Sequence, residues 1–219
     1  MTGLGAAEVF TLAVLGVAGV IDLYYRDIEP LYWIYSIPAG AIIYINSMGS
    51  VLEDSPWILL VLALVPAVLT LILYMAGVMG GADFMALLFL GASYPLSSSS
   101  ILPIPLQAVL YAGVFSAVHR IYVSARVCGF RCIFRGRYRI TIHELLTDPR
   151  FRWWIVATTP GGGDVGADPL ETVLRLARSG VEVLEASPGI PYVFHIFLGT
   201  LTAMIVGDEP FRALVSLLA

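Results

Sequence analysis

Apolar runs recur along nearly the whole chain, at about 3–22, 31–47, 57–77, 84–96, 101–122 and 189–206. A helix needs about 20 apolar residues to cross the hydrocarbon core of a bilayer, and most of these segments come close. Only 13% of the 219 residues are charged and 58% are hydrophobic, whereas soluble domains carry about 25% charged residues. The pattern predicts several membrane spans rather than one anchor. The first run lacks a basic leader, carries Glu8 and shows no convincing cleavage site, so it reads as a retained first helix rather than a signal peptide. The expected fold is an all-α membrane protein of six transmembrane helices, with a small cytoplasmic α/β insert between the fifth and sixth. Its parts are residues 1–118, the insert 119–187, and 188–219 with the last span and a short interfacial helix.

Charge sets the orientation. There is no lysine, and eleven of the twelve arginines fall on one side of a six-span arrangement, with Arg212 alone on the other. Net charge is −4. The N-terminus is expected outside, with residues 23–30, 78–83 and 119–187 on the cytoplasmic side. The arginines of the insert suit orientation and anionic lipid headgroups, and no nucleic-acid partner is expected. Within the insert, "TIHELLTD" has capping-box spacing at Thr141 and Glu144. "DPLETVLRLARSGVEVLEA" reads as an amphipathic helix ended by Gly180 and followed by a strand. Cys128 and Cys132 are too few for a four-sulfur site, so neither a metal nor another cofactor is expected.

The fourth run is short. Its 13 or so residues cover about 20 Å, against a core of about 30 Å, so the start of that helix lies within the membrane. Asp83 stands there, in "GVMGGADFMALLFLGA". Ionisable groups inside a span are costly and mark functional sites by default. Glu8, His119, Arg120 and His195 have simpler readings as interfacial or packing groups. Asp22, at the end of the first span, and Asp83 map to a similar depth on the cytoplasmic side. Two carboxylates meeting in a poorly hydrated site share a proton, the state in which aspartic proteases activate water. By helix-end fields alone, Asp83 at an N-terminus is expected to be the base, and Asp22 near a C-terminus the acid. Gly77, Gly80 and Gly81 are read as letting an extended peptide approach, with positive φ available. The competing "TPGGGDVGAD", with Asp164 and Asp168, falls in the insert and reads as a loop.

These residues resemble the archaeal preflagellin peptidases and, more distantly, the bacterial type IV prepilin peptidases, both GxGD-type membrane aspartic proteases. The likeness runs through Asp22 with "YRDIEPLYWI", the "MGGADFMALLFLGASYP" stretch, and the last span from "PGIPYVF". It implies Asp22 and Asp83 as the catalytic pair, with archaellin or pilin-like precursors as substrates, cut just before their hydrophobic segment. Basic residues ahead of such a cleavage site suit acids, for which Asp27 and Glu29 are candidates. Two positions depart from the family pattern: Ala82 replaces a glycine, and Met85 a lysine carried by many members. The cysteine quartet of the bacterial relatives is absent, and with it any reason to expect their methyltransferase activity. The rival from another class is a small proton- or cation-coupled transporter using the two acids. A catalytically dead scaffold is the third reading.

Overall fold

The computed structural model describes residues 5–25, 28–47, 56–76, 80–95, 102–128, 138–148, 154–158, 177–180, 182–188 and 191–218. Contacts divide the chain into two units, residues 1–115 with 191–219, and residues 116–190.

The first unit is helical. It contains α1 (Ala6–Tyr25), α2 (Pro30–Ser47), α3 (Pro56–Met75), α4 (Gly81–Ser93), the start of α5 (Ile104–Cys128), α7 (Tyr192–Val206) and α8 (Glu209–Leu218). Proline opens α2 at its first helical position, where the missing N–H has no partner to lose. Gly207 closes α7 at φ +69°, a left-handed conformation that glycine adopts without penalty. The N–H of Gly207 donates to the Ala203 carbonyl at 2.9 Å. The amphipathic α8 follows, its start tied by Arg212 Nε to the buried Asp208 carboxylate at 3.0 Å.

The short α4 is the centre of the bundle, packing against α1, α2, α3 and α7, while α1 packs along α7. Close approach depends on small residues. A Cβ on Gly40 of α2 would lie 2.6 Å from the Ser93 Cβ of α4, and one on Gly199 of α7 would lie 2.3 Å from the Ala108 carbonyl oxygen of α5. Leu15, Trp33, Phe89, Leu90 and Ile196 fill the core. Polar groups are also turned inward: Thr11 of α1 donates to the Ser93 hydroxyl of α4 at 3.0 Å, both buried. Large apolar side chains point outward instead, among them Val9, Val17 and Val20 of α1, Ile34 and Ile42 of α2, and Ile72 of α3. An apolar exterior around buried hydroxyls and acids suits lipid as the surrounding medium.

Helices Ala6–Tyr25 and Ile104–Arg126 are long and apolar enough to cross a membrane, while Gly81–Ser93 and Tyr192–Val206 are apolar and shorter. The expected fourth run, 84–96, forms a helix displaced toward the N-terminus, Gly81–Ser93. Its start moves because Gly80 takes the N-cap and draws Asp83 into the first turn. Its end comes at Ser93, followed by Tyr94 and Pro95.

The second unit contains the remainder of α5, then β1 (Tyr138–Thr141), α6 (Ile142–Thr147), β2 (Trp154–Thr158) and β3 (Val183–Pro188). The three strands form one antiparallel sheet in the order β1-β3-β2, with Tyr138 opposite Ala186 and Trp154 opposite Pro188. Thr141 caps α6 through the reciprocal box with Glu144. Gly180 closes a turn at φ +81° before β3, while most of the helix expected ahead of it lies outside the described residues. On α5, His119 is half-buried and Arg120 exposed. Cys132, Asp164 and Asp168 lie outside the described residues.

Candidate active site

Both membrane acids belong to the first unit. Asp22 sits in the last turn of α1 and is 7% exposed. Its carboxylate reaches across to α7. Oδ2 accepts the Val193 N–H at 3.0 Å and the Phe194 N–H at 3.4 Å, two first-turn donors of α7 that have no intrahelical acceptor. Asp22 of α1 therefore caps α7, the last long apolar helix of the bundle. Gly19 makes this approach possible, since a Cβ there would stand 3.1 Å from the Phe194 Cα.

Asp83 is the third residue of α4 and is partly exposed. Its Oδ2 accepts the Gly80 N–H at 3.1 Å, one half of a capping box; the glycine has no side chain to return the other. Gly80 holds φ −77° and ψ 165°, extended backbone open to any residue. A Cβ there would lie 3.3 Å from that same Asp83 oxygen, a close approach that a small movement of the carboxylate relieves. Gly81 faces open space, with nothing within 4 Å of an added Cβ. The expectation that these two glycines use positive φ is thus corrected: among the described residues only Gly180 and Gly207 do. Ala82 lies inside the first turn of α4, where helical φ suits alanine better than glycine.

Both acids lie on helices that pack against α7. Tyr192, the first residue of α7, is half-buried and its phenol lies in the electrostatic field of Asp83. The next two backbone N–H groups bind Asp22. Helices α1, α4 and α7 also pack on one another. The division of roles by helix end loses its premise here, because Asp22 reaches the N-terminus of α7 and Asp83 that of α4. Neither is left with a C-terminal field alone.

The other candidates fall elsewhere. Glu8 accepts from the Gly5 N–H and the Tyr94 hydroxyl, which ties the start of α1 to the end of α4. His195 is buried in α7, its ring 6.1 Å from that of Phe194. Glu29 is exposed just before α2, while Asp27 and Gly77 lie outside the described residues. Beside the Asp83 turn, a cavity of about 420 Å³ is lined by Ile28, Trp33, Tyr74, Gly81, Phe84 and Met85, among others.

The sequence model of the type IV leader peptidase family matches residues 9–121. The chain belongs to this family. It is accordingly a protease of the leader peptidase kind, whose substrates are precursor proteins. No curated protein matches the sequence. The family match includes Asp22 and Asp83 but stops before α7, so the element that anchors Asp22 lies beyond it. The sequence reading missed Tyr192 and the α7 donors for a related reason: a backbone N–H has no letter of its own. The available signal was "PGIPY", where Pro191 immediately precedes a helix and marks a set of unpaired donors.

Proposed function

We propose that this leader peptidase is an intramembrane aspartic endopeptidase with Asp22 and Asp83 as its catalytic pair. The observation that supports the reading is that α1 and α4, which carry the two acids, both pack against α7, with Asp22 bound to its first backbone donors. With one proton between them, the ionised carboxylate takes a proton from water. The water oxygen bonds to the scissile carbonyl carbon while the protonated partner hydrogen-bonds the carbonyl oxygen. Collapse of the tetrahedral species breaks the C–N bond, and the departing nitrogen takes the proton. The open face at Gly81 is where an extended peptide lies against the α4 turn, with Gly80 holding the Asp83 carboxylate beside it.

The substrates in this reading are archaellin or pilin-like precursors, cut on the cytoplasmic side at the start of their hydrophobic segment. Six spans carry the chain with its N-terminus outside and the segment 119–187 in the cytoplasm. Supporting this are the arginine bias and the six apolar runs. Asp27 and Glu29 are the acids that would meet basic residues preceding the cleaved bond, Glu29 being exposed just before α2.

The test is cleavage of a pilin-like precursor by purified protein in detergent, comparing wild type with Asp22→Asn and Asp83→Asn. Cleavage by wild type and its loss in both variants supports the pair. Full activity in either variant removes that residue from the mechanism.

A further inference from the structure

Side chains in the first turn of a helix lean toward its N-terminus, the direction in which the unpaired backbone N–H groups also point. At the start of α7 the Val193 and Phe194 amides donate to the Asp22 carboxylate at 3.0 and 3.4 Å, and Tyr192 leaves the same turn. The Tyr192 side chain is half-buried, packs against the core of the bundle and lies in the electrostatic field of Asp83. Its hydroxyl nevertheless makes no hydrogen bond among the described residues. Other inward-facing tyrosines do bond theirs: Tyr32 donates to the Val14 carbonyl at 2.7 Å, Tyr94 to the Glu8 carboxylate, and Tyr111 to the Gly207 carbonyl at 2.9 Å. The Tyr44 hydroxyl also lacks a partner, but it is sealed from solvent, whereas Tyr192 is only half-buried. Packing accounts for the Tyr192 ring and leaves its O–H without a task, unless an acceptor arrives with a ligand.

We propose that Tyr192 is a third catalytic residue, its phenol O–H donating to the scissile carbonyl oxygen as negative charge builds there. The inference rests on the protease reading above. As the water oxygen bonds to the carbonyl carbon, the π pair moves onto the carbonyl oxygen, which then accepts from two sides, the protonated acid and Tyr192. The phenol keeps its proton, so the proton balance between the two acids is unchanged. When the C–N bond breaks, the pair returns to the carbon–oxygen bond and the contact weakens. A hydrogen bond to an anionic oxygen is stronger than one to a neutral carbonyl, so the donor favours the tetrahedral species over the bound substrate and raises kcat rather than lowering KM. Its place on α7 links it to the first acid: the turn whose amides hold Asp22 also carries Tyr192, so donor and acid keep one geometry.

Removing the hydroxyl alone provides the test. Tyr192→Phe is expected to lower kcat on a pilin-like precursor by about 10²-fold, the scale for one oxyanion donor. KM should stay within about twofold, and the unfolding temperature in the same detergent should not move. Tyr111→Phe removes a bonded hydroxyl at the far end of α7 and is expected to keep the wild-type kcat. A second readout needs no turnover. A peptide with a phosphinate in place of the cleaved bond mimics the tetrahedral species, and Tyr192→Phe should weaken its binding by a factor similar to the loss in kcat. The uncleaved precursor should bind equally to Asp83→Asn protein with and without Tyr192→Phe. A kcat within about twofold of wild type, or equal weakening of precursor and phosphinate, overturns the proposal and leaves the acid pair standing. A wild type that cuts no precursor, or full activity in Asp22→Asn or Asp83→Asn, removes the protease reading and this inference with it.

Discussion

Substituting Gly19 with alanine tests the central geometric claim without touching either acid. Gly19 lies one turn ahead of Asp22 on α1, and the two residues meet the same stretch of α7. An added Cβ would stand 3.1 Å from the Phe194 Cα and 3.4 Å from its Cδ2. The first contact is backbone, so α7 has to withdraw by a few tenths of an ångström. The Phe194 N–H is already 3.4 Å from Asp22 Oδ2, and that displacement takes it out of hydrogen-bond range. The Val193 bond at 3.0 Å stretches and survives. The cost is one hydrogen bond to a charged group, about 1.5–3 kcal/mol if it is lost outright. The effect on chemistry follows from misplacing Asp22. A 1 Å error costs about 10²-fold in rate, so a shift of a few tenths is expected to lower precursor cleavage by roughly tenfold. Two controls bracket it. Gly16→Ala meets only the ring edge of Phe197 at 3.4 Å, and Gly91→Ala meets nothing within 4 Å. Gly16→Ala is expected to lose little activity and Gly91→Ala none, the latter gaining up to about 1 kcal/mol from helix propensity. Initial rates on one precursor, alongside thermal unfolding in the same detergent, read both effects. If Gly19→Ala cleaves as fast as Gly16→Ala, the α7 contact does not position Asp22 and the argument fails.

Other substitutions probe the frame around the site. Gly199→Ala places a Cβ 2.3 Å from the Ala108 carbonyl oxygen and 2.9 Å from the Ala112 nitrogen, both rigid backbone. A loss of about 1–3 kcal/mol or more is expected, read as a lower unfolding temperature and a smaller monodisperse fraction. The buried Thr11–Ser93 hydroxyl pair should show a coupling of about 0.6–1.7 kcal/mol in a Thr11→Val, Ser93→Ala double-mutant cycle, and a coupling near zero would remove it as a link between α1 and α4. Thr141→Ala removes the side-chain cap from α6. About 0.5–2 kcal/mol of local stability should go with it, visible as faster amide exchange in residues 142–147 and unchanged precursor cleavage.

What could be read from the residues differs by kind. Apolar runs locate the helices α1, α2, α3 and α7 to within three residues, because burial and lipid contact both act on side-chain type, while α5 continues six residues past its run to Cys128. Boundaries were harder to read where the cause was a single backbone contact. The start of α4 shifted from 84 to 81 because the Asp83 carboxylate folds back onto the Gly80 N–H, a choice that hydropathy does not encode. Sequence alone points to conformational freedom at the glycines, yet Gly80 holds extended backbone open to any residue. The two acids were picked out because charge inside an apolar run is conspicuous. Their surroundings were not legible, since the groups that hold Asp22 are main-chain amides of residues 193 and 194, 171 and 172 positions away. Met85 was noted as a departure, but only the cavity gives it a neighbourhood.

The bond from Asp22 to the start of α7 ties the earliest helix to the last apolar one across 171 positions. A ribosome delivers α1 long before it delivers Val193, so through most of synthesis the first acid lacks these two amides. With Asp22 as one of the proposed catalytic pair, competence to hydrolyse is expected to arrive only with the closing strokes of translation. If the proposed pair is the catalytic one, halting the chain after α5 yields a fragment with both carboxylates present but without the α7 amides, and such a fragment is expected to stay inert until the missing C-terminal piece is supplied.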